Sequence, residues 1–151
     1  MRALIQRVLS GKVTINQKMI GEIEKGYVIL LGVREGDSER EAEVLAEKTV
    51  NLRIMSDVND KMNLSVEDKE GGILVVSQFT LYADCKGGRR PSFIKAAKPE
   101  LAKNLYLHFV AQLRKLGVKN VQTGEFGAYM LLEIVNDGPV TIMLDSDELS
   151  K

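Results

Sequence analysis

Ser77, Gln78, Phe79 and Thr80 carry the densest chemistry in the chain: a hydroxyl, an amide, a ring and a second hydroxyl at consecutive positions. They follow the apolar run Ile73 to Val76, which reads as a buried strand. The run passes straight into these side chains instead of into a turn. Polar groups at such a place are costly to bury unless they bind something. A second stretch, Asn136-Asp137-Gly138-Pro139-Val140-Thr141, has the same form, with a polar Gly-Pro corner between two strand-like runs. Both are read as parts of one site. Each also has a plainer reading: strand-end hydroxyls and amides satisfy backbone groups, and Gly-Pro is an ordinary turn signal.

Other reactive residues are isolated. Cys85 lies beside Lys86, whose charge favours a thiolate. Without a base it reads as an inert loop thiol. His108 falls off the apolar stripe of its helix and reads as an exposed surface histidine. Nothing in the sequence brings it within reach of Ser77 or Thr80, as a nucleophile–base pair requires. One His and one Cys on different elements, with scattered carboxylates, match no zinc or EF-hand spacing. There is no P-loop and no strand-to-helix glycine fingerprint. No metal and no cofactor are expected. Six basic residues, Lys86, Arg89, Arg90, Lys95, Lys98 and Lys103, face only Glu100 between positions 86 and 103. That surplus is either a solvated surface or a phosphate-contacting face.

Lys+Arg and Asp+Glu number 21 each, so bulk charge does not mark a nucleic-acid binder. The 151 residues suit one domain, spanning 1–151. A lone cysteine allows no intrachain disulfide and suits a reducing cytosol. The N-terminus lacks a signal-peptide core, and no apolar run could span a bilayer. A cytoplasmic protein without membrane contact is expected.

The elements that must hold the site are read from periodicity. Ala3 to Val8 is a strand, Ser10-Gly11 a turn, and Asn16-Gln17 the turn of a hairpin whose return strand carries Met19, Ile20 and Ile23. Tyr27 to Val33 is a central strand covered on both faces. Ser38 and Glu41 form a capping-box pattern before a helix burying Ala42, Leu45, Ala46, Thr49 and Val50. Leu52 to Met55 is a short candidate strand, Met62 to Val66 a strand or loop, and Ser92 to Ala97 a short helical turn. Pro99 opens a second helix with the stripe Ala102, Leu105, Tyr106, Phe109, Val110 and Leu113, stopped by Gly117. Val118 to Thr123, Ala128 to Val135 and Val140 to Leu144 are strands, and the tail from Asp145 is polar. The sum is an α+β domain: antiparallel or mixed sheets packed in layers, barrel-like, with two main helices on one side.

Nearly the whole chain resembles the D-aminoacyl-tRNA deacylases, also called D-tyrosyl-tRNA deacylases. The resemblance is carried by Met1-Arg2-Ala3 with Gln6-Arg7-Val8, by Ser77-Gln78-Phe79-Thr80 and by Gly88-Arg89-Arg90-Pro91-Ser92-Phe93. Gly124-Glu125-Phe126-Gly127-Ala128 and Asn136 to Thr141 complete it. Tyr129 departs from the polar residue, often Asp, of many members. The resemblance implies hydrolysis of D-aminoacyl and glycyl esters of tRNA at the terminal adenosine. It implies a homodimer in which a cis Gly138-Pro139 corner, steadied by Arg7, enters the partner's site opposite Ser77 to Thr80. L-esters would be rejected by that corner. It also implies a fold similar to an editing domain of archaeal threonyl-tRNA synthetases. Lys86, Arg89, Arg90 and Lys95 become candidate tRNA contacts. Thr80 is either a nucleophile or an accessory to hydrolysis assisted by the ribose 2′-OH. Its missing base favours the second. Two other classes remain in play: a non-catalytic RNA-binding module, and a small-molecule ester hydrolase using Thr80 or Cys85.

Overall fold

The computed structural model describes residues 1–149, so Ser150 and Lys151 of the expected 1–151 domain lie outside the described residues. In chain order the elements are β1 (Arg2–Ile15), β2 (Lys18–Ile23), β3 (Gly26–Gly32), α1 (Glu39–Asn51), β4 (Met55–Ser56), β5 (Met62–Leu64), β6 (Gly72–Ser77), α2 (Pro99–Lys115), β7 (Val121–Thr123), β8 (Leu131–Asp145) and α3 (Ser146–Leu149). The main sheet runs β2-β1-β3-β6-β7, with β8 also on β1. β1 is antiparallel to β2, β3 and β8, whereas β3, β6 and β7 run parallel. The expected α+β architecture with mixed strands is what the chain adopts.

The sheet has two buried faces because β3, and β6 as far as Val76, are apolar at every position. Tyr27, Ile29 and Leu31 of β3 join Ala3, Ile5, Ile73 and Val75 against α1 and α2. Val28 of the same strand joins Val8, Val13, Ile23, Leu74 and Val76 inside the curl of the sheet. Both helices therefore pack on one side, and their sequence stripes are the buried ones. The curl nearly closes. A Cβ on Gly21 of β2 would sit 2.7 Å from the Thr123 carbonyl oxygen of β7, so the two strands meet only because glycine lies between them.

Gly11 explains one departure from the sequence reading. Ser10-Gly11 is not a turn: β1 runs through it as one 14-residue strand. A Cβ at Gly11 would stand 2.5 Å from Val28 Cγ2, so this glycine serves close approach inside the curl. The Asn16-Gln17 hairpin does form, with φ of 48° and 65°, the pair of positive values a two-residue turn needs. Several boundaries differ. β4 begins only at Met55, β5 stops at Leu64, β7 begins at Val121, and β8 begins at Leu131 instead of near Ala128. Ser92 to Ala97 is not helical. It is a turn between isolated pairings of Ser92 with Asp84 and Ala96 with Arg34.

The described part of the polar tail, Asp145 to Leu149, is tied to the N-terminal half of the chain. The Met1 ammonium is fully buried and donates to Asp37 Oδ1 at 3.0 Å and to Ser146 Oγ at 2.5 Å. Asp37 also accepts the Arg34 backbone N–H at 2.6 Å. Arg2 pairs with Asp145 at 2.8 Å and Arg34 with Asp147 at 2.5 and 2.9 Å. Removing one member of a buried ion pair strands the other in low dielectric. Asp37→Asn is therefore expected to lower stability by about 3 kcal/mol, measured by urea unfolding, with Asp147→Asn on the exposed Arg34 pair nearly neutral.

Candidate active site

β6 delivers Ser77 to its C-terminal end, and Gln78 continues the parallel ladder by donating its N–H to the Leu31 carbonyl at 2.8 Å. The chain then enters one turn of 3-10 helix, Phe79–Tyr82. The sequence reading had no turn here. The reason for it lies beneath the turn: Tyr82 is buried, the Arg2 guanidinium stacks 4.7 Å over its ring, and Arg2 Nη1 donates to the Leu81 carbonyl at 3.0 Å. With the far side anchored, Phe79 and Thr80 are left exposed. Burial, together with the nearby Asp37 and Asp145 carboxylates, pushes the Tyr82 phenol well above its ordinary range, so it stays neutral at working pH.

Three of the four motif residues, Ser77, Gln78 and Phe79, line an apolar cleft of about 600 Å³, shared with Phe93, Phe126 and Tyr129. The Phe79 and Phe93 rings meet edge to face, centroids 4.9 Å apart. The Gln78 amide donates to Thr80 Oγ1. Among the described residues, no histidine, carboxylate or amine hydrogen-bonds to Thr80. A larger concavity of about 910 Å³ lies elsewhere, lined by Ser10, Glu22, Glu24, Lys25, Lys69 and Glu70 among others. It holds none of the motif residues, and its mixed charges single out no ligand.

Gly138 and Pro139 form no hairpin. Gln6 pairs with Thr141 and Val8 with Asn136, so five residues of β8 span the length of two on β1. The excess loops out opposite Arg7 as an exposed corner with a cis Gly138-Pro139 bond and Gly138 at φ +124°. Arg7 is 8% exposed. Its Nε donates to the Asp137 carbonyl at 3.1 Å and lies 3.4 Å from Asp137 Oδ2. Its Nη1 donates to the Ile54 carbonyl at 2.9 Å and to Ser56 Oγ at 3.3 Å. The corner is absent from the lining of the cleft in its own chain. One chain thus places Ser77 to Phe79 together, and Arg7, Gly138 and Pro139 together, without joining the two groups.

Lys86, Arg89 and Arg90 are exposed on a loop closed by reciprocal backbone bonds of 2.8 Å between Asp84 and Ser92. Lys95 is engaged locally, its Nζ 3.5 Å from Asp84 Oδ2. The Lys86 backbone N–H, followed by the Lys95 charge, holds the Asp84 carboxyl below its usual range. Cys85 is exposed on the same loop. His108 departs from expectation: it is half-buried between the helices, Nε2 3.1 Å from Glu43 and Nδ1 3.9 Å from Glu39. The three groups could share an ion, but they also pair with one another, and they do not line the cleft. Sequence reasoning missed Phe93 and Phe126 as walls, although both stand in quoted motifs. It also missed Ile54 and Ser56, whose part is a carbonyl and a hydroxyl met only through folding.

A family model described as D-Tyr-tRNA(Tyr) deacylase matches residues 4–145. Proteins named D-aminoacyl-tRNA deacylase are 55% identical in Clostridioides difficile (strain 630), over 98% of this chain and 99% of that protein. One in Thermosipho melanesiensis is also 55% identical, over 99% of each chain. A solved structure named c-Myc DNA Unwinding Element Binding Protein is 41% identical, with TM-score 0.91 over 96% of this chain and 98% of that one. Another, described as a probable eukaryotic D-amino acid tRNA deacylase, is 18% identical with TM-score 0.81 over 95% of this chain and 97% of that one, and bears on the fold alone. With both motif stretches intact and the match running almost end to end, this chain belongs to the D-Tyr-tRNA(Tyr) deacylase family.

Proposed function

We propose that this protein hydrolyses the ester joining a D-amino acid to the terminal adenosine of tRNA, releasing free tRNA and the amino acid. We infer that glycyl-tRNA is also cleaved and L-aminoacyl-tRNA is spared. The observation that carries this reading is the end-to-end family match, which takes in the residues of the apolar cleft. An aminoacyl ester is already activated. The enzyme needs only to position it, admit water and stabilise the oxyanion. The first N–H groups of a helical turn lack intrahelical acceptors, and the Gln78 side chain does not cap this turn. The Phe79 and Thr80 N–H groups are therefore suited to the developing oxyanion, at about 3 kcal/mol per donor.

Water adds to the carbonyl carbon, the carbonyl–oxygen bond to the ribose breaks, and the ribose oxygen takes a proton. Thr80 has no base to activate it as a nucleophile. Its hydroxyl already accepts the Gln78 amide, which suits positioning better than attack. The vicinal ribose 2′-OH is the better candidate for orienting the water.

Selection of chirality is assigned to Gly138 and Pro139, with Arg7 steadying the corner. The corner does not line the cleft of its own chain, so we assign it to the cleft of a second copy, which makes the protein a homodimer with shared sites. In support, Val135 and Met143, on the two sides of the corner in β8, are exposed apolar side chains that a partner would cover. An L side chain would meet the inserted corner, a D side chain would point away, and glycine has nothing to exclude. Lys86, Arg89 and Arg90 would hold the phosphates, with Lys95 a weaker contributor because Asp84 already pairs with it.

Incubation of the purified protein with D-Tyr-tRNA, L-Tyr-tRNA and Gly-tRNA tests the reading, with cleavage of the first and third expected. Equal cleavage of the D and L esters would sink the exclusion model, and binding without cleavage would leave an RNA-binding module. Thr80→Ala is expected to lower kcat no more than about tenfold, the worth of a hydrogen bond. A 2′-deoxy terminal adenosine should cost about a hundredfold or more. Complete loss in Thr80→Ala, with an acyl-enzyme trapped in the parent, would reverse the assignment. Arg7→Lys cannot reproduce the planar fork. It is expected to destabilise by about 1–3 kcal/mol in urea unfolding and to raise cleavage of L-Tyr-tRNA.

A further inference from the structure

Eight aromatic side chains occur in the chain, four Phe and four Tyr. Four of them, Phe79, Phe93, Phe126 and Tyr129, line the same cleft. The first three form its walls. Tyr129 differs: at 88% exposure it is the most solvent-exposed aromatic ring in the chain.

The segment carrying Tyr129 is fixed on both sides. The Gly124 N–H reaches the Val75 carbonyl at 3.4 Å, and the Phe126 ring packs 6.1 Å from that of Tyr106 in the core. A tight turn follows, with Ala128 N–H donating to the Glu125 carbonyl at 3.2 Å and Gly127 at φ +79°. After Tyr129, Met130 turns back so closely that a Cβ on Gly124 would stand 2.4 Å from its Sδ. The ring is thus presented to solvent by a pinned backbone, at low entropic cost for any flat group that lands on it. Glu125, exposed on the same segment, disfavours a phosphate there, leaving the uncharged face of a base as the fitting occupant.

We propose that Tyr129 is a positioning residue that stacks on the nucleobase immediately 5′ of the esterified terminal adenosine. This rests on the proposed deacylase reading. The ester must lie against Phe79 and Thr80, so the terminal nucleoside fills the walled part of the cleft and the next base emerges at the lip. Stacking tolerates any base and depends on the ring rather than on the phenol hydroxyl.

The test compares D-Tyr-tRNA with D-tyrosyl-adenosine, which lacks that base. Tyr129→Ala is expected to raise KM for D-Tyr-tRNA about tenfold, with kcat held and D-tyrosyl-adenosine turnover as in the parent. Tyr129→Phe should restore the parent KM. An unchanged KM for the tRNA overturns the inference. So does an equal loss on both substrates, which would place Tyr129 in the terminal-nucleoside pocket or in the assembly. If the parent cleaves D-Tyr-tRNA and Tyr129→Ala is indistinguishable from it, stacking alone falls. If the parent cleaves neither substrate, the deacylase reading falls and the stacking role with it.

Discussion

β1 is the backbone on which the other antiparallel strands depend. Its first half pairs with β3 and β8, and its second half with β2 and β8. Near its middle a buried guanidinium must be satisfied or expelled. Arg7 is satisfied by carbonyls and a hydroxyl from two remote places, Asp137 on one side and Ile54 with Ser56 on the other. The corner at Gly138 is therefore not a free loop. Its position is set by the electrostatics of a residue more than a hundred positions earlier.

The cleft follows a similar logic. Its shape is made by side chains whose reasons for being there lie underneath it: Tyr82 and Arg2 beneath the 3-10 turn, Tyr106 beneath Phe126. Tyr106 also donates its hydroxyl to the Val75 carbonyl at 2.8 Å, and burial pushes its own ionisation up to about 12. Apolar walls exclude water from most of the surface and leave it to compete only at the motif residues, where hydrolysis would need it.

Much of this was readable from residues alone. The helices showed their stripes, β3 its two-sided burial, and Asn16-Gln17 its hairpin, because each is a local pattern. Ser10-Gly11 was misread because a glycine needed for close packing has the same signature as one needed for a turn. The turn at Phe79 was missed because Arg2, which anchors it through the Tyr82 ring and the Leu81 carbonyl, comes from the other end of the preceding chain. His108 was misplaced because its partners Glu39 and Glu43 sit on another helix. The tail read as merely polar because its partner is a terminal ammonium about 145 positions away. Ser77 to Thr80 and Gly138-Pro139 stood out in the sequence. That they lie apart in one chain was implied only by the family resemblance and by no residue pattern, since register and bulges are tertiary facts.

The bulge in β8 has a consequence for parity. Five residues against two is an excess of three, an odd number, and side chains on a strand alternate with period two. The excess therefore exchanges the faces of the strand. Leu132 and Ile134 pack inside the curl, whereas Ile142 and Leu144, also even-numbered, pack on the helix side. One strand thereby contributes to both cores. Loss or gain of a single residue in the corner would turn Ile142 and Leu144 to the wrong face and part Asp145 from Arg2. The length of the exposed corner is thus held constant by the interior of the protein, independently of anything the corner touches.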